Sequence, residues 1–216
     1  DQRARWQDAK LLPKWTREAD SWIFQWSKNR AIYERLEKAR ANGVPAQFIF
    51  GFHVRESDAS FTHHLHEGSP LRFRTRYVPI GRPKAWNPPS DWYSSALDAL
   101  YDYERLHTQW KWSDAQSSLQ GAESYNGLGY QRKGRITPYL WSGTSVYHGG
   151  KYVRDGVFSA TAYDQQIGIC AILLRMRERG MAIPSALTAP AARAAAGSAN
   201  RPPAPHRQRP LRPGHR

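Results

Sequence analysis

The sequence holds a single cysteine, Cys170, among its 216 residues, so no internal disulfide can staple the fold and the redox compartment is left open. Cys170 sits among Ile169, Ala171 and Ile172, where a buried, inert thiol is expected and not a nucleophile. No apolar run approaches the ~18 residues needed to span a bilayer, and the first residues carry no signal-peptide pattern. The sequence begins at Asp1 and not at Met, which is compatible with removal of an upstream segment and leaves export open. There is no internal repeat, no His-Glu-x-x-His pair, and no zinc-finger or RNA-recognition signature. After Gly180 the sequence lacks both acids and aromatics. A segment so poor in burial surface cannot offset its ordering entropy, so residues 181–216 are expected to be a disordered Ala/Pro/Arg-rich basic tail.

What is abundant is aromatic surface and positive charge. Nine Trp, eleven Tyr and seven Phe all precede Gly180. Core packing accounts for most of them, and a carbohydrate cleft would use several more, because sugar faces stack on rings. The formal net charge is +14; six Arg lie after Gly180, which leaves +8 for residues 1–180. Such a balance points to an anionic partner: nucleic acid, a membrane surface or an acidic cell-wall polymer.

The hydrophobic pattern predicts one domain over residues 1–180, mostly helical. Trp22, Ile23, Trp26, Tyr33 and Leu36 recur at helical spacing over about 16–41, and Asn42-Gly43 stops that helix. Pro45 suits the first turn of a second helix with Phe48, Ile49, Phe52 and His53 on its apolar face, ending near Glu56-Ser57. From Leu71 to Tyr77 apolar residues alternate with Arg72, Arg74 and Arg76, the period-two pattern of a strand, and Glu67-Gly68-Ser69-Pro70 reads as the turn before it. A small β-hairpin is therefore expected after the second helix. Helices resume with Ser90 as N-cap, then with a Ser113/Gln116 capping box. A last helix is expected from Ser159, with Tyr163, Ile167, Cys170 and Leu174 inward and Gly180 as its stop.

Three groups of residues can carry chemistry: His53-Val54-Arg55-Glu56-Ser57; His63, His64 and His66 with Glu67; and Tyr125-Asn126-Gly127. Each has an ordinary structural explanation when taken singly. In this order, a Glu-Ser ending a buried helix, a hairpin, and then helices leading to Tyr-Asn-Gly resemble lytic transglycosylases and goose-type lysozymes. The stretches 61–71 and 78–83 are similar to a family of phage and bacterial lysozyme-like endolysins, as are 125–130, 138–142 and 150–156. The resemblance covers roughly residues 30–180. It implies an α+β, predominantly α-helical lysozyme-like domain with a small β-hairpin after the catalytic helix. It implies cleavage of the MurNAc-GlcNAc β-1,4 bond of peptidoglycan glycan strands, by hydrolysis or lytic transglycosylation, with Glu56 catalytic. Ser57, His66, Glu67, Tyr125, Asn126 and Tyr139 are the implied substrate-binding residues, with no metal and no cofactor. The implied setting is the bacterial periplasm or cell wall, reached from the host cytoplasm if the protein is phage-encoded. Its partners would be glycan strands and anionic wall or outer-membrane polymers, with no specific nucleic acid, and the chain is expected to be a monomer.

The family's turn reads His-Asn-Gly-Asp-Pro-Leu, whereas here Glu67 replaces the Asn and Ser69 the Asp. Glycosidic cleavage needs a protonated acid at the leaving oxygen, and an apolar helix around Glu56 favours the acid form. Hydrolysing glycosidases usually add a second carboxylate, for which Asp58, Glu67 and Asp155 are candidates, whereas a transglycosylase needs only one. Two enzyme-free readings compete: an inactive cell-wall-binding relative and a basic nucleic-acid protein. A zinc peptidoglycan peptidase or amidase is the other catalytic alternative, using His53 and Glu56, one helical turn apart, with His63, His64 and His66.

Overall fold

The computed structural model describes residues 1–154 and 156–188. Among the described residues the chain is α-helical with one small two-stranded antiparallel sheet. Helix α3, Ala46–Ser57, is the centre of the packing, lying against α2 (Thr16–Glu37), α6 (Ala115–Tyr125) and α9 (Ile169–Glu178). Phe48, Ile49, Phe50, Gly51, Phe52, His53, Val54 and Glu56 are all buried, and a helix apolar on every side belongs inside a core. Gly51 permits the closest approach, since a Cβ there would meet Ile169 Cγ2 at 2.6 Å.

Pro45, expected in the first turn, is instead the extended N-cap residue just before α3. The helix stops because Asp58 and Ala59 both adopt left-handed angles, φ 51° and 55°, turning the chain sharply after Ser57. Helix α2 ends at Glu37, four residues before the sequence pattern runs out, and the chain turns through 38–43 before α3. Its ring-bearing face is the other half of the core: Tyr33 lies 5.4 Å from Phe50 and 5.8 Å from Trp92, edge-on to both.

Two caps fall one residue later than the sequence suggests. Asp91, not Ser90, caps α4 (Trp92–Leu97), and Asp114, not Ser113, caps α6; each carboxylate accepts a backbone N–H three residues on. Both candidates are good caps, and only the path of the chain chooses between them. Gln116 does not complete a capping box. Its Oε1 accepts from the backbone of Gln2 and Arg3, fastening an unforeseen N-terminal helix, α1 (Gln2–Asp8), to α6. After α4 the helix widens into a π-helical turn, Asp98–Tyr103, before the short α5, Leu106–Gln109. Two more short helices, α7 (Gly129–Arg132) and α8 (Pro138–Trp141), interrupt the Gly- and Tyr-rich stretch that follows α6.

The strand expected over 71–77 does not form. Only Leu71 and Thr75 point inward there, while Phe73 and Tyr77 are exposed, so the burial repeats every four residues and not every two. Pro70, Pro79 and Pro83 remove ladder donors on either side. The segment instead loops back on itself, Thr75 N–H donating to the Arg82 carbonyl at 2.9 Å, with a single β-bridge joining His63 and Pro70. The sheet lies elsewhere: β1 (Lys151–Arg154) pairs with β2 (Val157–Ser159). Ser159 therefore ends a strand and does not cap the last helix. That helix, α9, starts ten residues later after Gly168 and stops at Gly180, whose φ is +67°.

The chain does not leave the fold at Gly180. Ile183, Ala186 and Leu187 are buried, and the Trp6 indole N–H donates to the Leu187 carbonyl at 3.0 Å. The expected tail boundary is thus too early by at least the eight residues to Thr188. The rest of the expected tail, residues 189–216, lies outside the described residues.

Candidate active site

Glu56 occupies the last turn of α3 and is 6% exposed. Phe48, Ile49 and Phe52, on the turns before it, are wholly buried. The Tyr139 hydroxyl donates to Glu56 Oε1 at 3.0 Å. Tyr139 is placed by α8, where Pro138 sits in the first turn and the Thr137 side chain caps the Tyr139 N–H.

Phe52, one helical turn before Glu56, organises the two tyrosines. Tyr125 stacks on it with ring centroids 4.4 Å apart and 10° between planes, and Tyr139 lies beside it at 6.4 Å. Residues separated widely in sequence thus meet at the end of α3. Tyr125 itself is fully buried, and its hydroxyl donates to the Leu65 carbonyl at 2.8 Å. It ties the end of α6 to the loop that follows α3. Asn126 is the half-buried C-cap residue of α6, and Ser57 is half-buried with its hydroxyl directed at the His53 carbonyl.

The loop residues are drawn inward. Glu67 is buried and its carboxylate accepts from the Ser69 N–H at 3.0 Å and the Ser69 hydroxyl at 2.8 Å. The two residues that depart from the family's turn therefore bond to each other. His66 is buried with Nε2 2.6 Å from Asp98 Oδ2, and Arg82 clamps the same carboxylate through Nε at 2.9 Å and a terminal nitrogen at 2.5 Å. Although burial pushes the Asp98 carboxyl up, His66 and Arg82 hold it below the usual carboxylate range. This buried trio anchors the loop to the π-helical turn.

Tyr139 also faces a cluster that the sequence reading missed. The Arg55 guanidinium lies over its ring at 5.2 Å, pairs with Asp164 at 2.8 Å, and donates to the Gln166 and Ile167 carbonyls. Lys151 reaches the other Asp164 oxygen at 3.1 Å. Burial pushes the Asp164 carboxyl up, but the Arg55 and Lys151 charges win and hold it below the usual range. Asp164 escaped notice because its segment reads as part of the last helix; a lone acid beside Tyr163 and Ile167 was the available signal. Of the second carboxylates considered from sequence, Asp58 is exposed at the αL cap, Glu67 is spent on Ser69, and Asp155 lies outside the described residues.

The histidines do not gather at one site, although the His64 and His66 rings meet edge-on at 5.7 Å. His53 hydrogen-bonds the Tyr33 hydroxyl and the Ser60 carbonyl, both at 2.9 Å, and burial lowers its pKa to about 4. His64 is held between the Ser95 hydroxyl and the Phe73 carbonyl, both at 2.7 Å, while His63 lies against Ser60 and Thr62. Among the described residues no three His, Cys, Asp or Glu side chains group as a metal site.

No family model, curated protein or solved structure matches this chain.

Proposed function

We propose that this chain is a lysozyme-like glycosidase that cleaves the MurNAc-GlcNAc β-1,4 bond of peptidoglycan, with Glu56 as general acid. One observation carries the reading: a buried carboxylate ends an apolar helix and receives the hydroxyl of Tyr139, at the place where the sequence resembles the catalytic Glu-Ser of lytic transglycosylases and goose-type lysozymes. Protonated Glu56 gives its proton to the glycosidic oxygen as the bond to the anomeric carbon breaks, and positive charge develops on the sugar ring. Tyr139 holds the carboxyl in one orientation, and Phe52 holds Tyr139. Ser57, His66, Glu67, Tyr125 and Asn126 would frame the substrate around it, the buried members acting by shaping the backbone. The site of action is the bacterial cell wall, where the basic surface meets anionic polymers.

The second step uses either water or the substrate's own C6 hydroxyl. The buried Asp164 is neutralised by Arg55 and Lys151, and Glu67 is engaged by Ser69, which favours the single-carboxylate route to an anhydro sugar. Mass analysis of released fragments separates the two, since the transglycosylase product lacks one water.

Glu56→Gln keeps the size and the hydrogen-bond acceptor of the side chain but has no acidic proton. Loss of turbidity of a purified peptidoglycan suspension should fall by about 10²–10⁴-fold while the circular dichroism spectrum is unchanged. A folded Gln variant that lyses the wall normally removes Glu56 from the chemistry. A folded native protein that binds peptidoglycan without releasing fragments favours the alternative of an inactive wall-binding relative, for which the Glu67–Ser69 turn is the supporting observation.

A further inference from the structure

Residues 70–90 contain five cations, Arg72, Arg74, Arg76, Arg82 and Lys84, and no Asp or Glu. Two of these charges are used inside the protein: Arg82 by Asp98, and Arg74 by the Pro83 carbonyl and the Asn87 side chain. The other three, Arg72, Arg76 and Lys84, are exposed and make no ion pair with any described residue. Beside them lie the three largest outward-facing apolar side chains of this segment: Phe73, 38% exposed, Tyr77, 64%, and Ile80, 71%. Arg72 and Arg76 lie over the Phe73 ring at 4.8 and 4.1 Å, so these two cations and that ring form one patch, with exposed Tyr77, Ile80 and Lys84 following in the same loop.

The loop that displays the patch is internally braced. Thr75 is buried, and its backbone and hydroxyl join Arg82, Gly81 and Pro79 across the loop. Ser90 N–H donates to the Leu71 carbonyl at 2.8 Å, closing the base. The buried Arg82–Asp98–His66 trio then fixes the whole to the helical body. Phe73, Tyr77 and Ile80 are therefore displayed by a braced backbone and not by a loose strand.

We propose that the loop 71–84 is a docking surface for an anionic lipid bilayer. Arg72, Arg76 and Lys84 meet the phosphate headgroups, each basic side chain adding to the attraction near a negatively charged leaflet. Ile80, Tyr77 and Phe73 enter the headgroup–acyl boundary, where rings with polar rims and short apolar side chains are favoured. Ile80 decides between a lipid and a soluble polyanion. A phosphate polymer offers an exposed isoleucine nothing, whereas a bilayer removes its apolar surface from water. The surface is independent of the glycosidase reading, because it shares none of the residues around Glu56.

The test is co-sedimentation of the full chain with vesicles of equal parts phosphatidylcholine and phosphatidylglycerol, compared with pure phosphatidylcholine and with soluble polyphosphate. All variants keep residues 189–216, so any contribution of the six arginines there is constant across the series. Tyr77→Ser with Ile80→Ser should lower the affinity for anionic vesicles by roughly tenfold or more and leave polyphosphate binding unchanged. Arg72→Gln with Arg76→Gln should weaken vesicle binding at low salt and flatten its salt dependence. Ile80→Gln alone repeats the first comparison with the smaller change, should the double variant lose its fold. Unchanged vesicle binding by folded Tyr77 and Ile80 variants overturns the proposal, as does an equal loss of polyphosphate binding.

Discussion

The hydroxyl of Tyr139 and the carboxylate of Glu56 meet at 3.0 Å although 83 positions separate them in the chain. The Phe52 ring lies beside Tyr139 at 6.4 Å and the Arg55 guanidinium lies over the Tyr139 ring at 5.2 Å. A carboxylate carried on the end of a helix is thereby given a fixed rotamer.

Tyr139→Phe keeps the ring and its stacking while removing the donor. Stability should fall by about 1–3 kcal/mol in urea unfolding, the cost of taking one partner from a buried polar group. Peptidoglycan cleavage should slow by roughly tenfold, from the looser aim of Glu56. A variant that loses stability but cleaves at the native rate assigns Tyr139 to the scaffold alone.

Glu123 gives a pH signature far from the proposed chemistry. It is buried on α6, with Gln2 donating to one oxygen at 2.5 Å. Burial pushes its carboxyl up to about 7 from the ordinary 4.5, only partly offset by Arg5, Gln2 and the Gln131 backbone N–H. The folded state therefore keeps a proton that the unfolded chain releases, so this group's contribution to stability declines as pH rises from about 4.5 to about 7 and is level above. Glu123→Gln should flatten that decline and stabilise the protein at neutral pH by on the order of 1–3 kcal/mol. Denaturant titrations of both proteins near pH 4 and near pH 8 read the difference, since those two values bracket the decline. A Gln variant with the native slope would show that Glu123 is ionised throughout.

Gly51 and Ile169 predict a coupled pair. Gly→Ala within a helix ordinarily stabilises by up to about 1 kcal/mol, but here the new methyl falls 2.6 Å from Ile169 Cγ2. Gly51→Ala should instead destabilise by about 1–3 kcal/mol, the usual cost of overpacking. Combining it with Ile169→Ala should recover part of that loss. Thermal melts of the four proteins in the cycle measure the coupling, and strict additivity would mean that α3 and α9 separate freely.

A chain ended after Gly180 loses Ile183, Ala186 and Leu187, together with the acceptor of the Trp6 indole. Its melting temperature should drop clearly, in keeping with about 2–5 kcal/mol for deleting a large buried side chain. Calorimetry on the full and shortened chains checks this, and equal melting temperatures would return the tail boundary to the position that composition suggested.

Much of the helical frame could be read from the residues, because α2, α3 and α6 carry enough periodic apolar surface to declare themselves. The end of α3 at Glu56-Ser57 was legible for the same reason. Elements stabilised by distant partners were not. Helix α1 has seven residues, too few to be marked by periodicity, and depends on Gln116, Glu123 and Leu187. Arginines alternating with Leu71, Phe73 and Tyr77 imitate a strand, yet the aromatic rings face outward with the cations. The Arg55–Asp164 pair joins residues 109 apart, and nothing local to either announces the other.

The π-helical turn Asp98–Tyr103 makes Glu104 N–H reach back five residues to the Ala99 carbonyl, at 3.1 Å. In an α-helix, positions three apart lie on nearly the same side. Widening the turn separates Asp98, which serves His66 and Arg82, from Tyr101, which donates to the Leu36 carbonyl and accepts from Val44 N–H. The turn works as an indexing joint between the loop-bearing side of the molecule and the end of α2. Length variation at this point is therefore a change of angle: removing a single residue would rotate everything beyond it by ~100° and leave one of the two attachments facing the wrong way.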